Sequence, residues 1–168
     1  SPDGKYIAWQ SMKRNGYESD RNRLCVYELA TGRKTYFTES FDSNVDDYTW
    51  SADSKSLYFI GVWHATVNVY QTNLKGAVRQ LTKGDHNYVS IALLGNKQLL
   101  GIRQSISQPN EIYAITPSKG NADSQQTQLT FENKHIFDQL ALGEVKDRWV
   151  ATSDGKKLQE WVITPPHF

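Results

Sequence analysis

The chain has 168 residues, 38% hydrophobic and 12% aromatic, with 19 Lys and Arg against 18 Asp and Glu and a formal charge of +1. That is enough apolar material for a packed core, while so even a charge, without runs of one sign, argues against nucleic-acid or membrane-surface partners. No stretch approaches the roughly 18 apolar residues of a membrane span, and a lone cysteine, Cys25, excludes an intrachain disulfide and reads as a small buried hydrophobe.

The first residues form the turn SPDGK at Ser1, with no initiator Met before it and already inside a repeat. The chain is therefore expected to be a piece of a longer protein, any targeting segment lying upstream. After that turn the strands YIAWQSM and RLCVYEL are predicted, then an ATG turn and a strand RKTYFT running to Thr38. A second unit repeats the pattern: YTW, the turn SADSK from Ser51, SLYFIGV, VNVYQTNL, a KG turn, and AVRQLT running to Thr82. The third offers YVSIALL, the turn GNK, QLLGIRQ, NEIYAIT, a polar excursion PSKGNADSQQ, and TQLT running to Thr130.

The closing Thr residues are 44 and then 48 positions apart. A period of that size marks units that cannot bury their cores alone and must stack. LYFIGV and IALL are continuously apolar rather than alternating, the pattern of strands covered on both faces. Four-stranded antiparallel units of about 40–50 residues arranged radially make a β-propeller. The fold predicted is all-β: a propeller arc of about three blades, near 1–46, 47–86 and 87–135, with 136–168 a connector and the first strands of another domain. That tail contains a hairpin, RWVATSDGKKLQEWVITPPHF, whose turn is SDGK and whose Pro165–Pro166 stops strand pairing. An open arc leaves its end sheets without neighbours, so aggregation, dimerisation or packing on another chain is expected.

Three blade-like units followed by this tail resemble the prolyl oligopeptidase family of serine peptidases, closest to its bacterial dipeptidyl-peptidase and acylaminoacyl-peptidase types. The resemblance rests on the SPDGK and SADSK turns, PNEIY at Pro109–Tyr113, Leu129–Thr130, and above all DGKKLQEWVITPPHF from Asp154 to Phe168. It implies a propeller that caps an α/β-hydrolase domain, admits short peptides, and precedes a serine nucleophile activated by a histidine and an acid. No G-x-S-x-G elbow occurs in the 168 residues, so no catalytic residue is assigned and His64, His86, His135 and His167 are not promoted to triad members. The family's adjacent glutamate pair for a free amino terminus is not present, so dipeptide release is not carried over. Bacterial relatives are often exported, which implies a periplasmic or secreted parent.

The links between the second and third strands of each blade should share one rim: Ser11–Asn22, Trp63–Thr66 and Arg103–Asn110. Trp63, His64 and Arg103 are the candidate substrate-binding residues, an aromatic wall, an imidazole and a fixed cation near a peptide. Other clusters read as structure. Asp42, Asp46 and Asp47 lack calcium-loop spacing and read as a solvated loop. Gly84–Asp85–His86 reads as a turn into the next blade, and His135 with Asp138 as a surface pair. No phosphate loop or zinc spacing appears, so no cofactor or metal is expected. The competing reading is a non-enzymatic propeller scaffold that binds proteins through its rim loops.

Overall fold

The computed structural model describes residues 1–120 and 122–168. Asn121, within the polar excursion of the third unit, lies outside the described residues. Among the described residues, thirteen strands and one short helix follow the repeat. The first sheet is a three-stranded meander of β1 (Tyr6–Ser11), β2 (Arg23–Glu28) and β3 (Lys34–Tyr36). The second joins β4 (Val45–Trp50), β5 (Ser56–Trp63), β6 (Thr66–Asn73) and β7 (Val78–Gln80), and the third β8 (Asn87–Leu94), β9 (Gln98–Ser105), β10 (Gln108–Thr116) and β11 (Gln125–Gln128). Every pairing within these sheets is antiparallel, and one parallel bridge, Val67 to Asn87, joins the second sheet to the third. The four-strand expectation holds for two sheets, and the first has three. A four-residue helix α1 (Lys134–Phe137) and a hairpin of β12 (Val145–Ala151) and β13 (Lys157–Ile163) complete the chain.

The repeated turns have one geometry. Ser1, Ser51 and Thr152 each donate a hydroxyl hydrogen bond to the Asp two residues on, Asp3 at 2.7 Å, Asp53 at 2.7 Å and Asp154 at 2.5 Å. The next residue takes a left-handed backbone: Gly4 at φ 69°, Ser54 at 59° and Gly155 at 78°. Glycine enters that region without a Cβ penalty. Ser54 is held there because its hydroxyl accepts the Asp3 N–H at 3.0 Å, tying the first sheet's turn to the second's.

The periodic threonines correct the strand ends and explain themselves. The outer strands stop at Tyr36, Gln80 and Gln128, so Thr38, Thr82 and Thr130 lie just beyond them. At each site a threonine hydroxyl replaces the next ladder carbonyl. Leu24 N–H donates to Thr38 Oγ1 at 2.8 Å, Val69 N–H to Thr82 Oγ1 at 2.9 Å, and Ile112 N–H to Thr130 Oγ1 at 2.8 Å. Thr82 is 0% exposed and its hydroxyl also donates to Asn68 Oδ1 at 2.9 Å. Thr82→Val keeps the shape but strands a buried N–H and a buried amide oxygen. It should lower unfolding free energy by about 1–3 kcal/mol, read as a lower urea midpoint at unchanged m-value, with Thr82→Ser recovering most of the loss.

Two apolar layers lie between the sheets. Leu24, Val26, Phe37, Val45, Leu57, Phe59 and Tyr70 fill the first, and Ile60, Val69, Leu81, Tyr88, Ile91, Leu99 and Ile115 the second. Strand β5 feeds both, Leu57 and Phe59 into one and Ile60 into the other, as its unbroken apolar run predicts. IALL does not follow suit: Ile91 is buried but Ala92 and Leu94 are exposed, because the third sheet packs a neighbour on one face only. Cys25 is buried in β2, where desolvation pushes its thiol up.

Of the acidic cluster, Asp42 lies in an exposed loop as read, but the other two do not. Asp46 and Asp47 lie in β4, at a bulge between Val45 and Asp47. A matching bulge interrupts β8 between Tyr88 and Ser90, just before Ile91, which pairs with Gly101 of β9. Asp47 Oδ2 accepts the Ile91 N–H at 3.0 Å and the Ser90 hydroxyl at 2.9 Å, so one carboxylate clamps the first strands of the second and third sheets together.

Candidate functional site

Strands β5 and β6 are joined by a two-residue turn, His64–Ala65, closed by the Trp63–Thr66 pair. Such turns twist with the strands only if both central residues have positive φ, which favours Asn-Gly or similar sequences. Here His64 sits at φ 50° and Ala65 at 56°. Non-glycine residues held in that region mark places where surroundings impose the geometry. The surroundings are the terminal hairpin. The His64 ring stacks on Trp63 at 4.6 Å and meets Trp149 of β12 edge-on at 5.2 Å, while Gln159 of β13 donates to the His64 carbonyl at 3.0 Å. Among the described residues that is the one hydrogen bond between hairpin and blades.

Beside this contact lies a cavity of about 260 Å³. Its walls are Ala65 and Thr66 from the turn, Asp85–Asn87 from the link into β8, Ser105–Ser107 from the β9–β10 turn, and Val145 and Trp161 from the hairpin. Two of the rim segments expected to cluster therefore meet here. The third, Ser11–Asn22, is fastened elsewhere: Arg14 pairs with Asp20 at 2.6 Å, and Asn22 N–H donates to Asn44 Oδ1 at 2.8 Å.

Arg103 is not brought into contact with Trp63 or His64. Its guanidinium lies 3.5 Å over the Tyr113 ring and donates to Gln126 Oε1 at 3.2 Å, where the Tyr88 hydroxyl also donates at 2.7 Å. Tyr113 continues the chain of polar contacts to Gln128 at 2.9 Å. Burial pushes Tyr88 up to about 12. The cation thus sits inside the third sheet's polar network, fixed by stacking as well as hydrogen bonding.

His86 is the residue that sequence reasoning passed over. Gly84–His86 is a link between blades, as read, with the His86 ring lying on Gly84 and edge-on to Tyr88 at 5.2 Å. Its Nε2 is buried without a hydrogen-bond partner. Desolvation, with the Arg103 charge adding to it, pushes the imidazole down to about 4. A strongly perturbed titratable group in a cavity wall is a functional-site signature. The one sequence signal for it was its position, a histidine entering the first strand of a blade.

A second hollow of about 550 Å³ lies between β10 and the connector, walled by Pro109, Phe131, Phe137 and Leu142 with Glu111 at its base. Glu111, 4% exposed, accepts from the Thr130 hydroxyl and from Asn133 N–H at 3.3 Å. Those bonds, the Thr130 hydroxyl foremost, hold its carboxyl below the usual range. In α1 the expected His135–Asp138 pair gives way to Lys134–Asp138 at 2.5 Å. Among the described residues no three His, Cys, Asp or Glu side chains are grouped to hold a metal, and no helix is long and apolar enough to cross a membrane.

No family model matches the chain. It is similar along its whole length to dipeptidyl-peptidase 5 of Porphyromonas gingivalis, 43% identical over 169 residues that make up 24% of that protein. The same enzyme name is carried by a Porphyromonas endodontalis protein, 43% identical over 24% of its length, and one from Trichophyton schoenleinii, 28% identical over 23%. The chain spans about a quarter of the length of these curated relatives. Among solved structures, the acylaminoacyl peptidase of Pyrococcus horikoshii superposes with a TM-score of 0.76 at 23% identity, covering 97% of this chain and 24% of that one. The β-propeller domain of the Trilobed protease from Pyrococcus furiosus gives 0.60 at 19% identity over 78% of this chain and 38% of that domain. The prolyl-oligopeptidase resemblance read from the sequence thus extends over the whole chain, and its fold is a β-propeller arc.

Proposed function

We propose that this chain is the gating region of a serine exopeptidase that hydrolyses short peptides, releasing dipeptides or acylated amino acids. Residues 1–135 form the propeller part, in blades near 1–46, 47–86 and 87–135, and 136–168 lead into the catalytic α/β-hydrolase domain. The observation that carries this reading is the hairpin seated on the rim through Trp149 and Gln159. A propeller that filters substrate must present one rim to the domain behind it, and the turn at His64–Ala65 is where that domain would begin. The chain itself is non-catalytic in this reading, and the parent is periplasmic or secreted.

Trp63 and His64 then act at the mouth between rim and hairpin, where an aromatic wall and an imidazole face an entering peptide. Arg103 acts one layer deeper, keeping the third blade's rim turn in place through Tyr113 and Gln126. The exposed outer faces of the first and third sheets, with Ile7 on one and Ile102 and Ile112 on the other, are the surfaces through which the arc would associate.

The test is hydrolysis of chromogenic dipeptidyl and acylaminoacyl substrates by the longer polypeptide carrying this chain, with the chain alone as control. Cleavage that a serine-directed phosphonate silences, absent from the control, is the expected result. A parent that cleaves nothing would replace the gating reading with that of a protein-binding scaffold.

A further inference from the structure

We propose that the junction between the blade rim and the terminal hairpin is an acid-sensitive latch, in which protonation of His86 lifts β12–β13 off the His64–Ala65 turn. The inference does not depend on the identity of the domain that follows the hairpin.

The geometry supplies the parts. The hairpin is a light load: Trp149 is 43% exposed, and its contacts with the rim are the His64 ring and carbonyl and the shared cavity wall. His86 lines the same cavity as Val145 and Trp161, and its Nε2 has no partner. A neutral ring tolerates this. A charged one needs a partner for its Nε2–H, and the cavity it shares with Val145 and Trp161 of the hairpin is the space in which water would supply it.

The groups facing His86 are Asp85 on its own link, Tyr88 on β8 and Arg103 on β9. The turn and the hairpin contribute no ionisable side chain to the cavity wall. Arg103 opposes protonation, and Asp85 is the anion that a charged ring would meet once the wall opens. His64, the other imidazole of the junction, lies outside the cavity wall and exposed, against Trp63 and Trp149.

With the docked ring held at about 4 and Arg103 still beside it after lifting, the ordinary value bounds the change, and the docked-to-lifted ratio should fall by up to about 30-fold between pH 7.5 and pH 5. The readout is the alkylation rate of Val145→Cys in the full chain. It is located by mass spectrometry so that Cys25 is counted separately, and normalised at each pH to the same cysteine in a short peptide. The normalised rate should rise more than about threefold and by up to about 30-fold on acidification, keep that rise in a His64→Asn background, and stay within about threefold in His86→Phe. His86→Asn serves if the phenylalanine variant loses its near-ultraviolet circular dichroism. A flat rate in the parent background, a rise that survives both His86 substitutions, or a rise abolished by His64→Asn would each overturn the latch.

Discussion

Phe59→Ala is expected to lower unfolding free energy by about 3–5 kcal/mol, the range for deleting a fully buried aromatic ring. Phe59 is 0% exposed. It meets Phe41 edge-on at 5.3 Å and stacks on Tyr70 at 5.4 Å, and Phe41 in turn reaches Tyr70 at 4.9 Å. These three rings fill the layer between the first and second sheets, so their loss attacks the contact that makes the arc one body. The surroundings cannot close the gap, because Phe41 already lies against Gly61, where even a methyl group would come within 2.6 Å of its ring. Urea denaturation followed by circular dichroism gives the magnitude. Phe59→Leu, which keeps most of the volume, should cost markedly less. Equal losses for the two variants would show that the aromatic cluster is not what joins the sheets.

The blade order was legible because the repeats encode local chemistry. The turns SPDGK, SADSK and TSDGK each place a hydroxyl two residues before an Asp and a left-handed residue after it, and all three fold alike. The periodic threonine was legible as punctuation, but its role as a carbonyl substitute was not, since nothing in the sequence says which N–H it will meet. IALL misled because an apolar run reports what a strand can cover, not whether a neighbour is there to cover it. Asp47 misled for a related reason: its neighbours in sequence are acidic, while its partners, Ser90 and the Ile91 N–H, lie 43 and 44 residues away.

The site was legible in part. Trp63 and His64 stood out as an aromatic and an imidazole on one rim link; in the fold His64 meets the hairpin through Trp149 and Gln159, and Trp63 stacks behind its ring. Arg103 looked like a fixed cation facing a peptide on a rim, but its own third sheet takes it up, through Tyr113 of β10 and Gln126 of β11. His86 gave no motif at all. Its distinction is the burial of one nitrogen, a property of the fold around it.

Acidification should produce the other large effect. An imidazole held at about 4 against an ordinary 6.5 binds its proton more weakly folded than unfolded. Between those values the unfolded chain takes up the proton first, so stability rises with pH. The contribution is complete above pH 6.5, declines as pH falls toward about 4, and is lost below that, where both states are charged. The full span corresponds to roughly 3 kcal/mol. Glu111 acts in a separate window: the Thr130 hydroxyl lowers its carboxyl, so its contribution is present above its usual 4.5 and lost only as pH drops further. Urea midpoints between pH 7.5 and 5 should therefore fall in the parent and flatten in His86→Phe. If the hairpin lifts first, a lifted junction relieves the buried charge, and the global loss can be no larger than the cost of lifting. From pH 7.5 to 5 the His86 shift amounts to roughly 2 kcal/mol of the full span. A decline well short of that, accompanied by early exposure of the Val145 position, would place the proton's effect on the junction. A full decline with Val145 still protected would place it on the blades themselves.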